Sequence, residues 1–124
     1  MTPLERARGA IGSRFRVHGR CVELGVDCVG LAGLAFGVGV PRGYALRGGR
    51  PAAVIDAVDR TGLLRVTDAR PGDLVLFDAG AGQLHFAVTS EAGVIHADAA
   101  LRRVVERPGD PPWPALARWR QRED

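Results

Sequence analysis

The spacing of apolar positions divides the chain into a helical first half and a stranded second half. Thr2-Pro3-Leu4-Glu5 has the form of a capping box with proline at the first helical position, which predicts a helix over residues 3–11, stopped by Gly12. Residues 12–25 hold no sustained period and are expected as an extended segment and loop. Asp27 then stands where an N-cap belongs for Cys28-Val29-Gly30-Leu31-Ala32-Gly33-Leu34-Ala35-Phe36, a stretch apolar almost all round and therefore expected to be buried. Gly30 and Gly33 would weaken an exposed helix, but in a packed one they permit close approach, here expected against a sheet. A Gly/Arg-rich loop is expected from Pro41 to Arg50, followed by a short amphipathic helix over residues 51–60 with Gly62 just beyond it.

From Leu63 the period shortens to that of strands, at residues 63–66, 73–77, 84–89, 94–97, 101–106 and 115–120. Turn-forming clusters separate them, among them Arg70-Pro71-Gly72-Asp73, Ala79-Gly80-Ala81-Gly82, Glu91-Ala92-Gly93 and Pro108-Gly109-Asp110-Pro111-Pro112. Helices first and strands second predict an α+β fold with an antiparallel meander.

Composition narrows the function classes. At 124 residues, 46% hydrophobic and 25% charged, with a mean hydropathy of −0.01, the chain has ordinary globular values and the size of one domain, 1–124. The net charge of +3 would point to nucleic acid, but all 17 basic residues are Arg, and Lys and Asn are both absent. That is the bias of a GC-rich genome, and no Arg run is interleaved with base-stacking aromatics, so no nucleic-acid partner is expected. The first eight residues hold no apolar signal core, and no segment reaches the roughly 18 apolar residues of a membrane span. A soluble cytoplasmic product without membrane contact is the expectation. Cys21 and Cys28 lie too far apart for a C-x-x-C redox or zinc motif and are expected as free thiols.

Cys28, at the start of the buried helix, admits two readings. It is either a small buried hydrophobe, or a nucleophile whose thiolate is favoured by the unpaired N–H groups and dipole of the helix start. A thiol nucleophile needs a base near it in space, and there are three histidines. His85 begins one expected strand and His96 lies on the next. A two- or four-residue loop at Ser90-Glu91-Ala92-Gly93 makes them diagonal neighbours on one face, with Cα atoms about 7–8 Å apart. A three-residue loop puts them on opposite faces. The same register sets Asp98 opposite His85, so Asp98 competes with His96 as the group that orients the base. One Cys and two His could also supply three ligands of a zinc site, but no local metal-ligand spacing is present.

Four phrases in order, Gly25-Val26-Asp27-Cys28-Val29-Gly30-Leu31, Arg70-Pro71-Gly72-Asp73-Leu74-Val75-Leu76-Phe77, His85-Phe86-Ala87-Val88 and Val94-Ile95-His96-Ala97, resemble the NlpC-type cysteine peptidases. The resemblance implies a papain-like α+β fold, N-terminal helices packed on a C-terminal antiparallel sheet or open barrel. It further implies cleavage of peptidoglycan stem peptides, commonly between the γ-carboxyl of D-glutamate and diaminopimelate or Lys, without metal or cofactor. Cys28 becomes the nucleophile, His85 the base and His96 the orienting residue. Asp27, Phe15 and His18 are the candidate substrate contacts, although His18, in the irregular segment, reads better as an exposed loop residue. The compact form of the chain resembles small members encoded beside phage-tail or gene-transfer-agent genes, which implies phage-like tail proteins as partners and delivery to the cell wall in a particle. One departure is Phe15, where relatives often carry Tyr. It leaves open the alternative of a catalytically silent tail component with the same fold. Cys21 has no place in the pattern.

Overall fold

The structure, a computed structural model, describes residues 1–39 and 50–122. The elements in chain order are α1 (Pro3–Gly9), β1 (Arg20–Cys21), β2 (Gly25–Val26), α2 (Cys28–Phe36), α3 (Pro51–Asp59), β3 (Leu64–Val66), β4 (Leu74–Asp78), β5 (Leu84–Thr89), β6 (Gly93–Asp98), β7 (Arg103–Pro108) and β8 (Ala115–Arg120). The expected α+β arrangement is what forms, helices on one face of a six-stranded antiparallel sheet. The loop expected from Pro41 to Arg50 lies outside the described residues apart from Arg50.

α1 carries the full capping box. Thr2 Oγ1 accepts from the Glu5 N–H at 3.1 Å and the Thr2 N–H donates to Glu5 Oε1 at 3.0 Å. The helix ends at Gly9, short of the expected position, because Ala10 closes it with a bond back to Ala7. α2 runs from its Asp27 cap to Gly37, whose φ of 64° is the left-handed conformation that ends helices and suits glycine. Within α2, Cys28, Val29, Leu31, Ala35 and Phe36 are buried. Fully burying side chains of the size of Leu31 and Phe36 contributes on the order of 1.5–3 kcal/mol each.

Two expectations need correction. Gly30 does not serve contact with the sheet. A Cβ there would lie 2.0 Å from the Gly19 carbonyl oxygen, so the glycine lets α2 close on the irregular segment before it. Nor is the sheet a simple meander. Its order is β3-β8-β4-β5-β6-β7, with β8 returning from the far end to insert between β3 and β4. The reason is tertiary. Asp73, buried at the head of β4, receives Arg120 through both carboxylate oxygens at 2.8 and 2.9 Å, with Arg118 at 3.5 Å. A buried carboxylate is costly unless paired, and β8 supplies the pairing. β8 also brings Trp119, fully buried, beside Phe86, with its indole N–H donating to Asp59 at 2.9 Å.

Strand alternation gives the sheet two apolar faces. Leu74, Leu76, Leu84, Phe86, Val88 and Ile95 join the helices in the main core. Val75, Phe77, Ala87 and Val94 form a smaller cluster on the other face, covered by Trp113.

Candidate active site

Asp27 holds the start of α2. Its Oδ1 accepts from the Gly30 N–H at 2.8 Å and from Arg20 at 3.0 Å, and its Oδ2 accepts from the His18 N–H at 2.8 Å. The carboxylate thus ties the loop before the helix to its first turn and sets Cys28 at the first helical position, 8% exposed.

The histidines come from the β5–β6 hairpin. Its loop is the two-residue Glu91-Ala92, closed by the Ser90 N–H on the Gly93 carbonyl at 2.9 Å and the Gly93 N–H on Ser90 Oγ at 3.0 Å. The resulting register pairs Val88 with Ile95 and Thr89 with Val94, and it puts His85 and His96 on one face as expected. His85 Nε2 lies 2.8 Å from His96 Nδ1, the rings meeting edge to face at 88°.

Beyond Val88 and Ile95 the β5–β6 ladder stops and the strands part. The Thr89 N–H points to β4, so by alternation the Phe86 N–H points toward β6. It has no ladder partner there and is directed at the Cys28 side of the opening, where the backbone N–H groups of Phe86, Val29 and Cys28 favour negative charge on the sulfur. The opening between the strands is therefore where the thiol stands. It borders a cavity of about 340 Å³ lined by Phe15, Asp27, Cys28, His85, His96, Asp98, Arg107 and Trp113, among others.

Asp98 does not compete with His96 but stands behind it in series. Asp98 Oδ2 is 3.8 Å from His96 Nε2, while Asp98 Oδ1 accepts from the N–H groups of Ala100 and Leu101 at 2.9 and 3.0 Å. The turn thereby fixes the carboxylate. His96 is 4% exposed and its Nε2 is buried without a hydrogen-bond partner.

Burial works against the thiolate that the helix start alone would favour. Burial pushes the Cys28 thiol up to about 12, reinforced by the charge of Asp27, and the three backbone N–H groups offset only part of this. Burial likewise pushes His85 down to about 4, helped by the proximity of His96 and opposed by Asp98. Burial also lowers His96, opposed by Asp98, with the Arg107 cation lowering it further. In the free protein the sulfur and the imidazoles are neutral at pH 7.

Of the expected substrate contacts, Phe15 and Asp27 line the cavity and His18 does not. His18 is exposed, with a left-handed φ of 61°, and its backbone N–H rather than its ring is engaged. Trp113, Arg107 and Gln83 also line the cavity and were not singled out by the sequence. Trp113 covers both imidazoles edge-on, with ring centroids at 5.3 and 5.9 Å. It lies beyond the Pro108–Pro112 break, where no period announces a partner. Among the described residues, no group of three His, Cys, Asp or Glu is arranged to hold a metal ion, and no helix is long and apolar enough to cross a membrane.

The fold has a counterpart among solved structures. The chain superposes on the peptidoglycan hydrolase RipB from Mycobacterium tuberculosis with a TM-score of 0.62 and 24% identity, over 98% of this chain. It spans 64% of the RipB chain. No family model matches the chain, and no curated protein does. The likeness to RipB establishes the shared α+β fold.

Proposed function

We propose that the protein is a cysteine endopeptidase that cuts amide bonds in peptidoglycan stem peptides, at the bond between γ-linked D-glutamate and diaminopimelate or Lys. The observation that carries the reading is the 2.8 Å contact between His85 Nε2 and His96 Nδ1 on the cavity that Cys28 also lines. RipB, named a peptidoglycan hydrolase, supports it through the shared fold.

The contact dictates a proton order. For His85 to take a proton from Cys28 it must offer Nδ1 unprotonated, so its own proton sits on Nε2 and is donated to His96 Nδ1. His96 then carries its proton on Nε2, facing the Asp98 carboxylate. Because the resting pair is neutral, the thiol proton passes to His85 Nδ1 as the sulfur attacks the substrate carbonyl, with no preformed ion pair. The oxyanion that develops is met by backbone N–H groups at the α2 start, including that of Cys28. Collapse of the tetrahedral intermediate breaks the C–N bond, and the leaving amine takes the proton from His85. Water then gives a proton to His85 and its hydroxyl to the thioester, releasing the acid and restoring the thiol.

Delivery by a phage-like tail belongs to this reading through the resemblance to compact tail-associated peptidases. A second reading, a catalytically silent tail component, is favoured by Phe15 and by the neutral resting pair. One digest separates the two. Purified sacculi treated with the parent protein should release cleaved stem peptides, and Cys28→Ala should release none. Absence of cleavage by the parent, or cleavage by the variant, would reject the peptidase.

A further inference from the structure

Among the described residues that line the cavity, Arg107 is a cation that the reaction leaves unused. Arg107 lies on β7 opposite Val94, and its guanidinium carbon is 5.7 Å from the centre of the Trp113 ring. Trp113 in turn meets His85 and His96 edge-on, so the charge of Arg107 reaches the wall of the cavity one ring away from the imidazoles.

The two carboxylates on the same wall are occupied. Asp27 is taken up by Arg20 and two backbone N–H groups, and Asp98 by two backbone N–H groups and the facing His96. The neighbouring Glu106 turns to Arg8 at 3.7 Å. The Arg107 side chain has no hydrogen bond and no salt bridge among the described residues. An uncompensated guanidinium on an aromatic platform presents its N–H fork to a planar anion, and a carboxylate matches it.

We infer that Arg107 binds a free carboxylate of the substrate, and that this is the α-carboxylate which a γ-linked glutamyl residue leaves uncommitted on the acyl side of the scissile bond. The inference rests on the peptidase reading and deepens it. It makes the protein selective for stem peptides whose glutamyl α-carboxyl is free over those in which it is amidated. A terminal carboxylate on the leaving residue offers the same chemistry, so the test distinguishes the two.

The experiment is calorimetry on the Cys28→Ala protein, which binds without turnover. The probes are L-alanyl-γ-D-glutamyl-L-lysine, the same peptide amidated at the glutamyl α-carboxyl, and the same peptide amidated at the lysine carboxyl. Amidating the glutamyl group should weaken binding on the order of ten- to a hundredfold, and amidating the lysine should not. Adding Arg107→Gln should weaken binding of the free acid by a similar factor and leave the glutamyl amide unchanged, while Arg107→Lys should keep part of the preference. If the three peptides bind equally and Arg107→Gln is indifferent, or if only the lysine amide is discriminated, the assignment is overturned and the peptidase reading stands. If none of the peptides binds, the peptidase reading falls with it.

Discussion

In a Cys21→Ser background, where Cys28 is the one thiol, the rate of alkylation by iodoacetamide as a function of pH reports how much thiolate the site holds. An unperturbed thiol titrates near 9.0, and burial takes Cys28 to about 12. Each pH unit is a factor of ten in thiolate. At neutral pH Cys28 therefore holds about a thousandfold less thiolate than an exposed cysteine, and its rate falls short by about that factor. The rate should climb tenfold per pH unit through pH 9 without a plateau. Adding His85→Ala should change the profile little, because His85, held down to about 4, carries no charge at these pH values that could support the thiolate. A helix-start effect acting alone predicts the opposite, a thiolate already populated near neutrality. A plateau below pH 7, with a rate above that of an exposed thiol and lost in His85→Ala, would show a preformed thiolate–imidazolium pair and refute the neutral resting state.

Other consequences can be measured directly. His85 titrates at about 4 folded and about 6.5 unfolded, so the unfolded chain binds the extra proton between these values. Its contribution is full above pH 6.5 and lost as the pH falls toward 4, up to about 3 kcal/mol. Denaturant melts should show this acid loss, and His85→Gln should diminish it. Asp98→Asn removes the charge facing His96 Nε2 without changing its size. The nitrogen shifts of His96 should then report a move away from the Nε2–H tautomer, with kcat falling more than KM rises, and unchanged shifts would remove Asp98 from the relay. Gly30→Ala sets a Cβ against the Gly19 carbonyl, 2.0 Å away, and should lower stability by about 1–3 kcal/mol or more in the same melts.

Much of this arrangement is local in origin and therefore legible in the sequence. Asp27 as cap and Gly37 as stop bound α2, and the Ser90–Gly93 turn sets the register that brings His85 and His96 together. What was not legible is set by partners distant in sequence. The alternation within β8 does not name its neighbours, and the buried charge of Asp73 draws it between β3 and β4. The protonation of Cys28 turns on burial under β5, a property of packing that a capping pattern does not report. Trp113 follows the proline-rich break with no period of its own, yet it roofs the two imidazoles. The same register that placed Asp98 opposite His85 left its side-chain direction open, and the turn at Ala100 and Leu101 aims it at His96 instead.

A thioester on Cys28 is the species that a nucleophilic Cys28 must form. The parent protein, mixed with a γ-D-glutamyl stem peptide, quenched in acid and analysed by intact and fragment mass spectrometry, should carry the acyl fragment on Cys28 and none on Cys21. The adduct should vanish in Cys28→Ala and fail to accumulate in His85→Ala. Cleavage of the peptide with no adduct on Cys28 in any quench, or an adduct on Cys21 in its place, would contradict the account.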